Sequence, residues 1–205
     1  MSDTARRDWS AADVVVRVLL LDGEPATADR ALADLVAAHL GVRVDQVHVG
    51  RRCPQCAATD HGRPVVRAVE GRGVHVSMAR TLGRTAVAAG STGPIGVDLE
   101  SVDVDRFSGV ATVARHAGEP EPATLDEVAV LWVRKEAVLK ATGWGVTYGP
   151  DRVNVTPDRP SPFPVRAGSG SQEVQLWVTD LDVGPGFAAA VAVVSPSPPR
   201  VRVVD

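Results

Sequence analysis

Three carboxylates and one ammonium group carry the strongest chemical signal in this chain. Asp98 and Glu100 are separated by one residue in Ile95-Gly96-Val97-Asp98-Leu99-Glu100, a run with the character of a β-strand. Alternation along a strand sends both side chains to one face. Carboxylates so placed repel each other unless a cation sits between them or water surrounds them. Further on, Trp132-Val133-Arg134-Lys135-Glu136-Ala137-Val138-Leu139-Lys140 has helical character, with Trp132, Glu136 and Lys140 at i, i+4 and i+8 on one face. The chain's only two lysines, Lys135 and Lys140, stand in this run, and arginine supplies every other basic side chain except histidine. Lysine is a compact point charge where arginine is a wide fork, so its use here points to a specific contact. Asp98, Glu100 and Glu136 together are hard oxygen donors for Mg²⁺, with Mn²⁺ also admissible, and leave room for water and phosphate oxygens. Lys140, one turn past Glu136, would reach the same phosphates. The D-x-E pair alone decides little, because carboxylates at a strand end are often only solvated.

The elements that must position these groups are legible in outline. Asp13 to Leu21 is a β-rich apolar run and Asp22-Gly23 a turn. Ala26 to Leu40 has helical periodicity and stops at Gly41. Short strands are predicted at Val44 onward, Val65 to Ala68, Val74 to Val76 and Arg84 to Ala89, before a break at Gly90 to Pro94. The strand bearing Asp98 and Glu100 opens the second half. The region Val104 to Pro122 is polar, with little helical pattern. A long helix is predicted from a capping box at Thr124 and Glu127 to about Thr142, ending at Gly143. Val153 to Val155, Val174 to Thr179 and Phe187 to Val194 are further predicted strands, Pro157 to Pro164 a loop, and Val201 to Val204 an edge strand. Each half runs strand, long helix, strands. The expectation is an α+β fold of two similar lobes, 1–94 and 95–205. Each would be a small, mostly antiparallel sheet packed by a long helix, with the active site in the cleft between them.

Bulk properties narrow the function. The chain has 205 residues, 44% of them apolar, enough for a sizeable core. A net charge of −3 with dispersed basic residues argues against nucleic acid as a partner. No membrane-length apolar run and no basic-then-apolar leader at Met1 to Ser10 is visible, so a cytoplasmic protein is expected. Cys53-Pro54-Gln55-Cys56 is a lone C-x-x-C with His61 five residues on. A structural zinc site needs four ligands, and His39, His48, His75 and His116 complete no common spacing. A redox pair would want a strand-to-helix setting. The expectation is a reduced loop. Arg51-Arg52 is expected to be a solvated pair, or else to flank a phosphate. Trp132, Trp144 and Trp177 are expected to pack against the core.

Taken together, Gly96-x-Asp98-x-Glu100 followed by Trp132-x-x-Lys135-Glu136-Ala137-x-x-Lys140 resembles the signature of the 4'-phosphopantetheinyl transferases, most closely the surfactin-type class. Ala141-Thr142-Gly143-Trp144-Gly145 is similar to the family's continuation, and His61-Gly62-Arg63-Pro64 resembles its H-G-(K/R)-P segment. The resemblance implies Mg²⁺-dependent transfer of the 4'-phosphopantetheine arm of coenzyme A to a serine of an apo acyl or peptidyl carrier protein, releasing 3',5'-adenosine bisphosphate. By position, it implies Asp98, Glu100 and Glu136 as metal ligands and Glu136 as the group that takes, or positions the base for, the serine proton. It implies Lys140 as a pyrophosphate contact and Arg63 as a contact to the coenzyme A 3'-phosphate. Arg80 and Lys135 complete the candidate coenzyme A set, with the carrier's acidic face or bulk water as other destinations for Lys135. A monomer is implied by analogy.

Two departures from the family pattern stand out. Ala79-Arg80 occupies the place of a Ser-His pair, with Arg80 able to hold a phosphate in its stead. The stretch between Glu100 and Trp132 lacks a clear Phe-Ser-x-x-Glu segment, for which Glu119 or Glu121 would stand in. These departures keep open a non-catalytic relative that binds coenzyme A or a carrier. The carboxylate set alone would also suit a metal-dependent pyrophosphate hydrolase.

Overall fold

The computed structural model describes residues 15–22, 28–53, 56–67, 69–157 and 159–204. It is an α+β fold with two four-stranded sheets as its framework. The first sheet has the order β10-β1-β5-β4, from β1 (Val15–Asp22), β4 (His75–Thr81), β5 (Arg84–Gly90) and β10 (Arg200–Val204). The second has the order β6-β9-β8-β7, from β6 (Ile95–Ser101), β7 (Phe163–Ala167), β8 (Val174–Leu181) and β9 (Phe187–Val194). A separate hairpin joins β2 (Val49–Arg52) to β3 (Arg63–Val66). Pairing is antiparallel throughout except between β1 and β10.

Alternation along the strands sorts their side chains into layers. On β5, Ala86 and Ala88 join Val16 and Val18, and meet Val97, Leu99, Val191 and Val193 of the second sheet in one apolar layer. The opposite face of β5, Val87 and Ala89, packs on Leu32, Leu35 and Val36 of helix α1 (Ala28–Leu40). On β9 the alternates Ala188, Ala190 and Ala192 turn to helix α4 (Leu125–Thr142) and its Val133, Ala137 and Val138. The order is therefore helix, sheet, sheet, helix, with the two sheets sharing a core. Strand, helix and hairpin follow one another twice, as β1–α1–β4–β5 and β6–α4–β8–β9, and in each set the first strand pairs with the last.

Helix α4 is bounded as its sequence predicts. Thr124 Oγ1 accepts from the Glu127 amide at 3.2 Å, and Gly143 closes the helix at φ 76°. Glu127 returns its bond to the Ala123 amide, one residue before the cap, at 2.6 Å. Arg134 makes a two-pronged ion pair with Asp180 of β8 at 2.8 and 2.7 Å, fixing the helix to its sheet.

Four stretches differ from expectation. Val44–Gln46, expected to open a strand, is a 3-10 turn, and the strand begins only at Val49. Val104–Phe107 (α2) and Val110–Ala114 (α3) form short helices in a region with little helical pattern. Phe163–Ala167 is a strand although Pro164 lies within it; β7 is an edge, where a missing amide hydrogen is tolerated. Val153 to Val155, expected as a strand, is irregular chain. Its backbone is satisfied by buried charges instead: Val155 N donates to Glu119 Oε1 at 2.7 Å, and Val153 O accepts from Lys135 Nζ. The expected start of the first helix at Ala26 and of the first strand at Asp13 lies outside the described residues, as do the turn at Gly23 and Ala68. No helix among the described residues is long and apolar enough to cross a membrane.

Candidate active site

Gly96 makes the site possible. Ile95, Val97 and Leu99 face the inter-sheet layer, so Gly96, Asp98 and Glu100 face α4. A Cβ on Gly96 would lie 2.5 Å from Ala141 N and 2.8 Å from Lys140 Cβ, and closer still to Ala137 O. Without that side chain, the helix backbone rests on the strand, and Glu136 and Lys140 arrive beside Asp98. Lys140 Nζ donates to Asp98 Oδ1 at 2.6 Å and to Val97 O at 3.1 Å. Asp98 and Glu100 are both nearly buried, at 4% and 6% exposure.

Burial pushes the Glu136 carboxyl up to about 6, the charges of Asp98 and Glu100 push the same way, and Lys140 pulls it back. Glu136 Oε1 is buried without a hydrogen-bond partner among the described residues. A carboxylate held among like charges with an orphaned oxygen is what a hard divalent cation would satisfy, and three carboxylates are the right donors for it. The three are spaced more widely than a closed ligand shell. Among the described residues, the one group whose donor atoms all lie within 4.8 Å of one another is Cys53, Cys56 and His61.

Beside the carboxylates opens a cavity of about 670 Å³, walled by β3 and β4 on one side and by the start of β6 and the end of α4 on the other. Arg51, Arg63, His75, Arg80 and Lys140 line it, and among the described residues no carboxylate does. The Arg63 guanidinium packs over Gly143, with Nη1 3.3 Å from where a Cβ would stand. A cation there faces the negative end of the helix dipole. Burial pulls the His75 imidazole below its ordinary value. The opposing walls are tied by β4 hydroxyls: Ser77 Oγ accepts from Val97 N at 3.0 Å and Thr81 Oγ1 from Ser101 N at 3.4 Å.

Of the predicted site residues, Arg63, Arg80 and Lys140 meet in the cavity, and Asp98, Glu100 and Glu136 meet behind it. Lys140 belongs to both groups. Lys135 belongs to neither, which corrects its assignment as a cofactor contact. Its side chain is wholly buried, paired with Glu119 at 2.8 Å and donating to the Pro150 and Val153 carbonyls. Burial pulls its pKa down while Glu119 pushes it up. Glu119 is equally inaccessible, 4% exposed and bonded to the His116 and Val155 amides, so it offers no surface to a carrier. Arg51, expected to be solvated, is mostly buried against Asp29 and lines the cavity, whereas Arg52 is exposed. His75, weighed in the sequence only as a zinc ligand, stands in no motif that marks it for this cavity. Trp132 and Trp144 pack against the core, as expected, and Trp144 also stacks on Tyr148 at 4.4 Å.

The arrangement offers a strongly cationic cavity for a polyanion, joined through one lysine to oxygen donors for a metal. That is equipment for moving a phosphoryl-linked group. A search of curated proteins found no significant match. Residues 94–192 match the family model of the 4'-phosphopantetheinyl transferase superfamily. The matched segment, 99 of the 205 residues, contains Asp98, Glu100, Glu136 and Lys140, and in it the chain is similar to that superfamily.

Proposed function

We propose that this protein is a surfactin-type, Mg²⁺-dependent transferase acting in the cytoplasm as a monomer. It moves the 4'-phosphopantetheine arm of coenzyme A to a serine of an apo acyl or peptidyl carrier protein of polyketide or nonribosomal peptide assembly. The observation that carries the reading is the double membership of Lys140, in the cationic cavity and against Asp98. The cavity is then the cleft between the halves 1–94 and 95–205. Arg63 and Arg80 hold the 3'-phosphate of coenzyme A, and Lys140 holds its pyrophosphate.

The carrier serine Oγ attacks the β-phosphorus, the bond to the bridging pyrophosphate oxygen breaks, and 3',5'-adenosine bisphosphate leaves. Glu136 takes the serine proton or positions the base that does. Asp98, Glu100 and Glu136 would hold a divalent cation whose charge offsets that gathering on the pyrophosphate. Lys140 supplies a fixed positive charge at the same oxygens.

Intact mass of an apo carrier protein incubated with this protein, coenzyme A and Mg²⁺ tests the reading. The expected result is a gain of one phosphopantetheine group, suppressed by EDTA, with Glu136→Gln slowing transfer by about 10²-fold or more. No gain across several acyl and peptidyl carriers, with coenzyme A still bound by calorimetry, would replace the transferase by a binding protein. For Arg80→Ala, the KM for coenzyme A is expected to rise about tenfold or more, the worth of one charged hydrogen bond. The KM for 3'-dephospho-coenzyme A should stay unchanged, and an equal rise for both would place the 3'-phosphate elsewhere.

A further inference from the structure

The cluster of Cys53, Cys56 and His61 lies outside the transfer chemistry, in the loop that joins β2 to β3. We propose that these three side chains hold a zinc ion, which clasps the loop shut and fixes the direction in which the chain enters Arg63.

The donors fit in identity and spacing. All three donor atoms lie within 4.8 Å of one another, and Cys56 Sγ is 3.5 Å from His61 Nε2. Tetrahedral zinc with its usual bonds to sulfur and nitrogen separates those two atoms by about 3.6 Å. No disulfide joins the two cysteines. His61 is oriented from behind, because Asp60 Oδ1 sits 2.8 Å from its Nδ1. That contact fixes the proton on Nδ1 and turns the Nε2 lone pair towards the sulfurs, the carboxylate–histidine arrangement of zinc sites. Two sulfurs and an imidazole favour zinc over magnesium or calcium, which seek oxygen. Two thiol protons are released on binding, and water fills the fourth position on the exposed side.

The backbone is shaped for the same purpose. Cys53 N donates to Ala58 O and Ala57 N to Cys53 O, each at 2.9 Å, so Ala57 and Ala58 are held beside Cys53. Ala57 takes the left-handed conformation at φ 59°, which costs an alanine about 1 kcal/mol and needs a restraint to hold it. Next to His61, Gly62 sits at φ 99°, where a Cβ would come within 2.5 Å of Arg52 O. The loop thus passes tightly beneath the end of β2 and delivers Arg63 directly into the cavity. An ion that ties Cys53, at the end of β2, to His61, two residues before Arg63, fixes that delivery.

The test is metal content of the full chain purified from zinc-supplemented medium. About one zinc per chain is expected, falling to near none in Cys56→Ser. Cys56 is exposed, so this substitution leaves the fold in place. Cobalt in place of zinc should give thiolate charge-transfer absorption and the d–d bands of a tetrahedral site, both lost in Cys56→Ser. Stripping the ion should speed trypsin cleavage between Arg52 and Cys53. A chain without zinc, zinc retained equally by Cys56→Ser, a mass lower by two hydrogens marking a Cys53–Cys56 disulfide, or unchanged cleavage would each overturn the proposal. Any effect of the ion on coenzyme A binding rests on the proposed transferase function. Metal content, cobalt spectra and proteolysis do not, so the two can fail separately.

Discussion

Lys135→Met is expected to remove about 3–5 kcal/mol of stability, a large part of what a domain of this size possesses. Glu119 would be left as a buried carboxylate, and the Pro150 and Val153 carbonyls would lose their donor. The effect should appear in urea denaturation as a lower midpoint. Adding Glu119→Gln should return at least about 1 kcal/mol, because neutralising the stranded charge removes most of the penalty even where the hydrogen bonds are imperfect. If Lys135→Met instead kept full stability and lost only transfer, Lys135 would act on substrate and the burial argument would fall. The experiment separates the two lysines of one motif, Lys135 as an internal tie and Lys140 as the one that meets the cavity.

Gly96→Ala is the second large effect. The added methyl group meets backbone of α4 at Ala137 and Ala141, which has no rotamer by which to move aside. The helix must lift away from β6, at a cost of about 3 kcal/mol or more, beyond the usual range for an overpacked side chain. For a chain of this length that lowers the melting temperature by about 10 °C. The lift also carries Glu136 and Lys140 away from Asp98, and a displacement of about 1 Å at reacting groups costs about 10²-fold in rate. Gly73→Ala is the control, since a Cβ there meets nothing within 4 Å, and it should change neither quantity appreciably. A fully stable, fully active Gly96→Ala protein would mean that the strand and helix can separate without consequence.

Where local physics decides, the sequence was sufficient. The caps of α4, Thr124 and Gly143, are set by short-range hydrogen bonding and backbone conformation, and both are where the residues predict. The shared face of Asp98 and Glu100 follows from strand alternation. The fate of Lys135 did not follow, because its partner Glu119 lies in irregular chain that periodicity cannot place. A clue was present all the same. Lys135 is seven residues after Val128 and four before Leu139, both buried, so it stands in the apolar stripe of α4 and not on the face of Glu136. Val153 to Val155 failed as a strand for the same reason: the alternation was real, but the groups that satisfy it are side chains brought from elsewhere. The closeness of His61 to the two cysteines depends on Gly62 passing under Arg52, a tertiary contact with no spacing signature.

The parallel pairing of β10 with β1 has a consequence for how the molecule is made. During synthesis β1 emerges well before β10, and its edge on that side lacks this neighbour until Arg200 to Val204 leave the ribosome. While the residues between β1 and β10 are made, the nascent chain therefore carries an open strand edge, able to capture a second nascent chain. Pairing β10 with β1 is a closure between the two most distant parts of the described sequence, slow by its loop entropy. Yield in the cell should therefore depend on translation speed and chaperone supply more than the finished fold would suggest.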